Sequence, residues 1–156
     1  MSQSTAAGAL PNIKKIIVPL DGSEFSFAAA RYAVYLAKRS GAEIVFMHSI
    51  VNPPYADYSS VGLMLPRYLE EARLKAEGWF AEVRQIAMRE DVKMSTEIIL
   101  DVVSVPSSIV EFAEKELADL IVIGTRGQSG IKRFLLGSVA SGVVSHAHCS
   151  VLVVRK

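Results

Sequence analysis

Five short apolar runs punctuate this 156-residue chain, and between most of them apolar residues recur every three or four positions. The first run, "IKKIIVPL" (13–20), is β-branched and stops at the turn residues Asp21 and Gly22. It reads as a buried strand. Ser23 then caps a predicted helix with an inner stripe of Phe25, Ala28, Ala29, Tyr32, Ala33 and Leu36, ended by Gly41. A second strand, 42–51, is apolar almost throughout, as strands covered on both faces are. The segment "NPPYADYSSVGLMLP" (52–66) has three prolines and no period, and is expected to act as a flap over something.

Helical spacing returns over 67–88, with Leu69, Ala72, Ala76, Trp79, Val83 and Ile86 inside and Gly78 as a weak point. A third strand is predicted over 92–100, and a helix over 106–117 with Pro106 in its first turn. "DLIVIG" is the fourth strand, "SVASGVVSHA" the fourth helix and "SVLVVR" the fifth strand. Strands alternating with helix-length crossovers give a parallel sheet, and right-handed crossovers wind it in both directions. The expected fold is a doubly wound, three-layer α/β/α domain on a five-stranded parallel sheet, Rossmann-like, over 13–156. Residues 1–12 are expected to be a disordered tail. Ligands of such sheets bind beyond the carboxyl ends of the strands, where the winding reverses. Asp21, Ser49 and Gly124 stand at such ends.

Charge removes some options. The net charge of +1 gives no global case for nucleic acid or an acidic membrane. The single cysteine, Cys149, excludes an internal disulfide framework. With no signal-like start and no apolar run of spanning length, the expectation is a soluble, cytoplasmic protein.

The chemistry is concentrated in "GTRGQSGIKRFLLGSV" (124–139), which holds four glycines, three cations and no acid. Glycines at 124, 127 and 130 let a ligand approach bare backbone, and successive amides there form an anion-binding nest. Gly137 and Ser138 open a helix whose first amides and positive dipole end favour phosphate. Thr125, Ser129 and Ser138 offer hydroxyls; Arg126, Lys132 and Arg133 offer charge. The same glycines would equally shape an ordinary surface loop. The spacing is neither the dinucleotide fingerprint nor a P-loop.

Gly124, Gly127, Gly137 and Ser138 fit G-x2-G-x9-G-[ST], and with "IIVPLDGSE", "IVFMHSI" and "HAHCSVLVVR" the chain resembles the universal stress protein family from Ile13 onward. That resemblance implies the adenine nucleotide alpha hydrolase-like variant of the fold. It also implies binding of ATP, or another adenine nucleotide, with Mg²⁺. The loop 124–130, including Gln128, and the start of the following helix, Gly137, Ser138, Val139 and Ala140, would hold phosphates and ribose. Pro19 and Asp21 would lie beside the adenosine, with Asp21 on a ribose hydroxyl or near Mg²⁺; alternatively Asp21 simply turns the chain before Ser23. Ser49 stands where relatives often have a valine that meets adenine through its backbone, and Val105 where many have glycine. The implied role is a nucleotide-dependent stress-response or signalling module, at most a slow ATPase, with no catalytic set assigned.

The alternative is a nucleotide-independent homodimeric scaffold joined through the apolar last strand, since an unpaired edge invites a partner. A phospho-accepting receiver is a third option, but it needs an acidic pair where this chain has only Asp21. His146, His148 and Cys149 sit too close in sequence to surround one metal ion. His48 is expected to be a hydrogen-bonded core residue and Trp79 a core aromatic.

Overall fold

The computed structural model describes residues 10–52, 65–128 and 135–156. The tail to residue 9, most of the expected flap (53–64) and the loop stretch 129–134 lie outside the described residues. Among the described residues five strands, β1 (Lys15–Pro19), β2 (Glu43–Val51), β3 (Met94–Val102), β4 (Leu120–Gly124) and β5 (Ser150–Val154), alternate with four helices. These are α1 (Glu24–Ser40), α2 (Leu65–Arg89), α3 (Val105–Lys115) and α4 (Ser138–His146). The sheet order is β3-β2-β1-β4-β5 with every pair parallel. The chain therefore winds outward from β1 to β3, then returns past β1 and winds the other way. The expected doubly wound α/β/α architecture is what the chain adopts.

Strand periodicity divides the core in two. Ile16, Val18 and Leu20 of the first strand segment, with Ile44 and Phe46 of β2, face α1 and α2. Ile17, Val45, Met47, Ile121 and Ile123 face α3 and α4. Ile16, Ile17 and Val18 are completely buried, because β1 has a strand on either side and helices on both faces. This alternation carries on along β2 towards its carboxyl end. His48 falls on the α2 side and Ser49 on the α3 side, and the site inherits that split.

Local signals set the boundaries. The Ser23 hydroxyl accepts from the Ser26 amide at 3.1 Å and starts α1; Gly41, at φ 75°, ends it with its amide on the Ala37 carbonyl. Ser104 caps α3 in the same way, with Pro106 in the first turn. That helix stops at Lys115 rather than at 117, because Leu117 takes a positive φ of 53° and sits in solvent. Helix α2 starts at Leu65, two residues earlier than its periodicity indicates, and β3 runs two residues further along, pairing Val102 with Val51.

Two side chains depart from expectation. Helical spacing puts Tyr32 in the inner stripe of α1, but it is 53% exposed. Ala29, Ala30, Ala33, Val34 and Ala37 take the inner face, since small residues bring the helix close to the sheet and leave the phenol no room. Trp79 packs against the core without being enclosed by it, and Phe80 is the fully buried aromatic of α2. Among the described residues no helix is long and apolar enough to cross a membrane.

The indole of Trp79 lies over Gly22, whose φ is +79° and where an added Cβ would come within 2.3 Å of the ring. Gly22→Ala therefore combines left-handed strain with a clash and should cost more than about 2 kcal/mol of stability. At Gly78, on the exposed face of α2, a Cβ would meet nothing within 4 Å. Gly78→Ala should stabilise by about 0.5–1 kcal/mol. Urea denaturation of both variants checks the opposite signs.

Candidate functional site: a cavity at the reversal of winding

Beyond the carboxyl ends of β1 and β4 lies a cavity of about 540 Å³. That is within the range of pockets for small organic ligands. Its position follows from topology: α1 leaves β1 for one face of the sheet, α4 follows β4 onto the other, and a crevice opens between them. Its walls come from Pro19 at the end of β1, Leu20 and Asp21 after it, Ser26 of α1, Met47, His48 and Ser49 of β2, and Val105 and Ile109 of α3. The remaining walls are Ile123 to Gln128, Thr125 excepted, and Leu135 to Ala140.

The polar end of the cavity is built of backbone. Gly137 is the N-cap of α4 and supplies no side-chain cap to its first amides, and Ser138, Val139 and Ala140, the first three residues of the helix, line the cavity. The Gly137 amide donates to the Thr125 carbonyl at 2.7 Å, and the Thr125 amide to Val154 at 3.0 Å. These two bonds tie the start of α4 to the end of β4 and to the neighbouring strand. Arg126 holds its guanidinium 5.7 Å from the Phe25 ring, a cation–π distance, and forms no ion pair among the described residues.

The glycines of this segment do different things. A Cβ at Gly124 would come within 2.7 Å of the Phe25 carbonyl, so this glycine admits the first turn of α1 against β4. A Cβ at Gly137 would press on the Thr125 carbonyl at 3.0 Å. At Gly127 it would meet Asp21 Oδ2 at 2.7 Å. Gly127 is thus the position where loop backbone and the Asp21 carboxylate share one space.

Asp21 both turns the chain and faces the cavity. Its Oδ1 accepts from the Ser23 amide at 2.9 Å and the Ser23 hydroxyl at 2.6 Å, which fixes the turn into α1. Its Oδ2 points towards Gly127, and its backbone carbonyl accepts from the Gln128 side chain. His48 stands in the carboxyl-terminal half of β2, its Nδ1 2.7 Å from the Leu20 carbonyl and its ring edge-on to Trp79 at 5.0 Å. Because a carbonyl only accepts, Nδ1 carries the proton in the neutral ring. Burial pushes its pKa below the ordinary value of 6.5, against smaller raising effects of the Leu20 hydrogen bond and the Asp21 charge. The Ser49 hydroxyl, on the opposite face of β2, bonds that of Ser108 at 2.9 Å.

Of the residues singled out from sequence, Pro19, Asp21, Ser49, Gly124, Arg126, Gly127, Gln128, Gly137, Ser138, Val139 and Ala140 line this one cavity. Thr125, expected to present its hydroxyl, is instead buried behind the wall, where its backbone holds the loop to α4 and β5. Ser129, Gly130, Lys132 and Arg133 lie outside the described residues. Sequence reasoning missed the apolar lining: Leu20, Met47, Ile109, Ile123, Leu135 and Leu136. Strand alternation would have indicated Met47 and Ile123, which share a face with Ser49 and Val45. His48 is hydrogen-bonded as expected, yet it lines the cavity rather than closing into the core.

Residues 12–155 match the universal stress protein family. The universal stress protein MJ0531 of Methanocaldococcus jannaschii is 43% identical over 145 residues, covering 92% of this chain and 82% of that protein. The solved structure of universal stress protein UspA from Lactobacillus plantarum is similar with a TM-score of 0.84 at 27% identity, over 92% of this chain and 99% of its own. The universal stress protein from Archaeoglobus fulgidus, solved in complex with dAMP, has the same fold with a TM-score of 0.66 at 20% identity, over 92% and 98%.

The lowered pKa of His48 has a consequence for stability. Below pH 6.5 the unfolded chain takes up this proton first, so stability is full above that value and declines as pH falls towards the lower folded one. In His48→Gln the part of the acid-side decline that belongs to this ring should vanish. Urea midpoints of wild type and variant, measured from neutral pH to about pH 5, check it.

Proposed function

The chain belongs to the universal stress protein family, and on that premise we propose that its cavity binds an adenine nucleotide, foremost ATP with Mg²⁺. The observation that carries this reading is the first turn of α4. Its first three residues, Ser138, Val139 and Ala140, line the cavity at the positive end of a helix dipole, Gly137 supplies no side-chain cap, and Arg126 and Gly127 stand beside them. A polyphosphate is suited to accept from such a helix start. Met47, Val105, Ile109 and Ile123 add an apolar wall that suits the face of a purine. Support also comes from the A. fulgidus family member, in which the same fold holds dAMP.

Asp21 is the one carboxylate among the described lining residues. With Oδ1 spent on Ser23, its Oδ2 is left for a ribose hydroxyl or for the cation. Mg²⁺ bound with the nucleotide would neutralise phosphate charge that Asp21 otherwise repels. The role that follows is that of a stress-response or signalling module whose loop and α4 are held in place by the nucleotide.

A second feature favours self-association. β5 lies at the edge of the sheet, with Val151, Leu152 and Val153 only half-buried. Such an apolar edge is completed by pairing with a second copy, and a homodimer through β5 is part of the reading.

Isothermal titration with MgATP tests the binding. Gly127→Val forces a branched side chain into the space shared by Asp21 and the phosphates, and should weaken binding by at least about tenfold while the far-UV spectrum is unchanged. Undiminished affinity in the folded variant would refute the assignment. For the dimer, sedimentation should show loss of association when β5 is cut at Val151, whatever the nucleotide present.

A further inference from the structure

The outer face of α1 is unlike an ordinary solvated helix surface. Between Glu24 and Glu43 the sequence has no acidic residue, and the exposed side of the helix presents Arg31, Tyr32, Tyr35 and Arg39. Positions 31, 32, 35 and 39 fall on one flank of a helix, since residues four apart sit one turn above each other. Both tyrosines are 53% exposed. Tyrosine and arginine are the residue types that dominate binding hot spots, whereas lysine and glutamate are the usual cover of a free surface.

This flank borders a cleft of about 610 Å³ between α1 and α2, floored by Val34 and Ile86. Helix α1 ends where β2 begins, and α2 ends just before β3, so the cleft lies towards the amino ends of the strands. The nucleotide cavity is at the opposite end of the sheet. Lys38 is held by Glu90 at 2.5 Å, whereas Arg31 and Arg39 form no ion pair among the described residues. The Arg39 guanidinium stacks 4.4 Å from the centre of the Tyr35 ring, which fixes both side chains at the mouth of the cleft.

We propose that this cleft is a docking surface for an acidic segment of a partner protein, carrying an apolar side chain that enters over Val34 and Ile86. The two unpaired guanidinium groups supply bidentate partners for carboxylates, and the stacked Tyr35 spares Arg39 part of the ordering cost of binding. A single-stranded nucleic acid fits less well. The Tyr35 face a base would stack on is already covered by Arg39, and a chain of net charge +1 gathers too little counterion release for a polyanion. The inference is independent of the nucleotide reading.

The test is fluorescence anisotropy of the full chain with a fluorescein-labelled peptide of alternating Glu and Leu. A Lys and Leu peptide and an oligo-dT of matched length serve as comparisons. The expected result is saturable binding of the acidic peptide alone, weakened when salt rises from roughly 50 to roughly 300 mM. In Arg31→Glu/Arg39→Glu it should weaken by about tenfold or more, and in Tyr35→Ala measurably. Both substitutions are on an exposed face, so circular dichroism should be unaltered, and MgATP should bind both variants as it binds wild type. Absence of acidic-peptide binding, equal binding of the two peptides, or insensitivity to the charge reversal overturns the proposal. Oligo-dT binding that disappears in the same variants would overturn it in favour of nucleic acid.

Discussion

A strand buried on both faces and paired on both edges governs this molecule. Ile16, Ile17 and Val18 of β1 have no contact with water, and each neighbouring segment has to leave the sheet on one side or the other. The turn held by Asp21 and Ser23 sends α1 to one face. The Thr125 carbonyl, taking the Gly137 amide, sends α4 to the other. Between the two departures, among the described residues, the cavity opens beyond the strand ends. The site is therefore a consequence of how the sheet is wound, and its polar lining joins the side chains of Asp21, His48, Ser49 and Arg126 to the start of α4.

This view changes what the glycines mean. A glycine-rich loop invites the inference that every glycine exposes backbone to a ligand. Here Gly124 is required by the close approach of Phe25, and Gly22 by the indole of Trp79. Those two serve packing. Gly137 likewise admits the backbone of Thr125 and Arg126 against the start of α4, and Gly127 is the one whose missing side chain leaves space beside the Asp21 carboxylate at the cavity. In the proposed binding mode the helix start would contribute several weak anion contacts, each about 0.3–1 kcal/mol when exposed, that matter only where they converge on one polyphosphate. Such an arrangement would select a multiply charged anion over a singly charged one.

Most of the architecture was legible in sequence because two different periods, near 2 and near 3.6, alternate along the chain from Ile13 to Val154, broken chiefly by the segment 52–66 and the glycine-rich loop. The polar half of the site was legible too, since glycine spacing and a strand ending in Asp21 are local signals. What escaped was set by contacts across the sequence. Tyr32 fits the inner stripe by spacing alone, and only the tight approach of the alanine-rich face to the sheet excludes it. Thr125 has the hydroxyl a phosphate wants, but its neighbours in space bury it. The apolar lining from Leu135 and Leu136 depends on how the loop returns to α4, which no local pattern records. His48 looks like a core residue because its strand is apolar; that the strand ends at a cavity becomes visible only in the fold.

The central claim is that bare amides at the start of α4 grip the nucleotide's phosphates. It is tested most directly by amide chemical shifts of the isotope-labelled chain during titration with MgATP. The account predicts that the resonances of Ser138, Val139, Ala140 and Gly127 move furthest, and that adenosine, which lacks phosphate, leaves them nearly still. If MgATP moves none of these four, or if adenosine moves them as far as ATP does, the phosphates are not held there and the account is wrong.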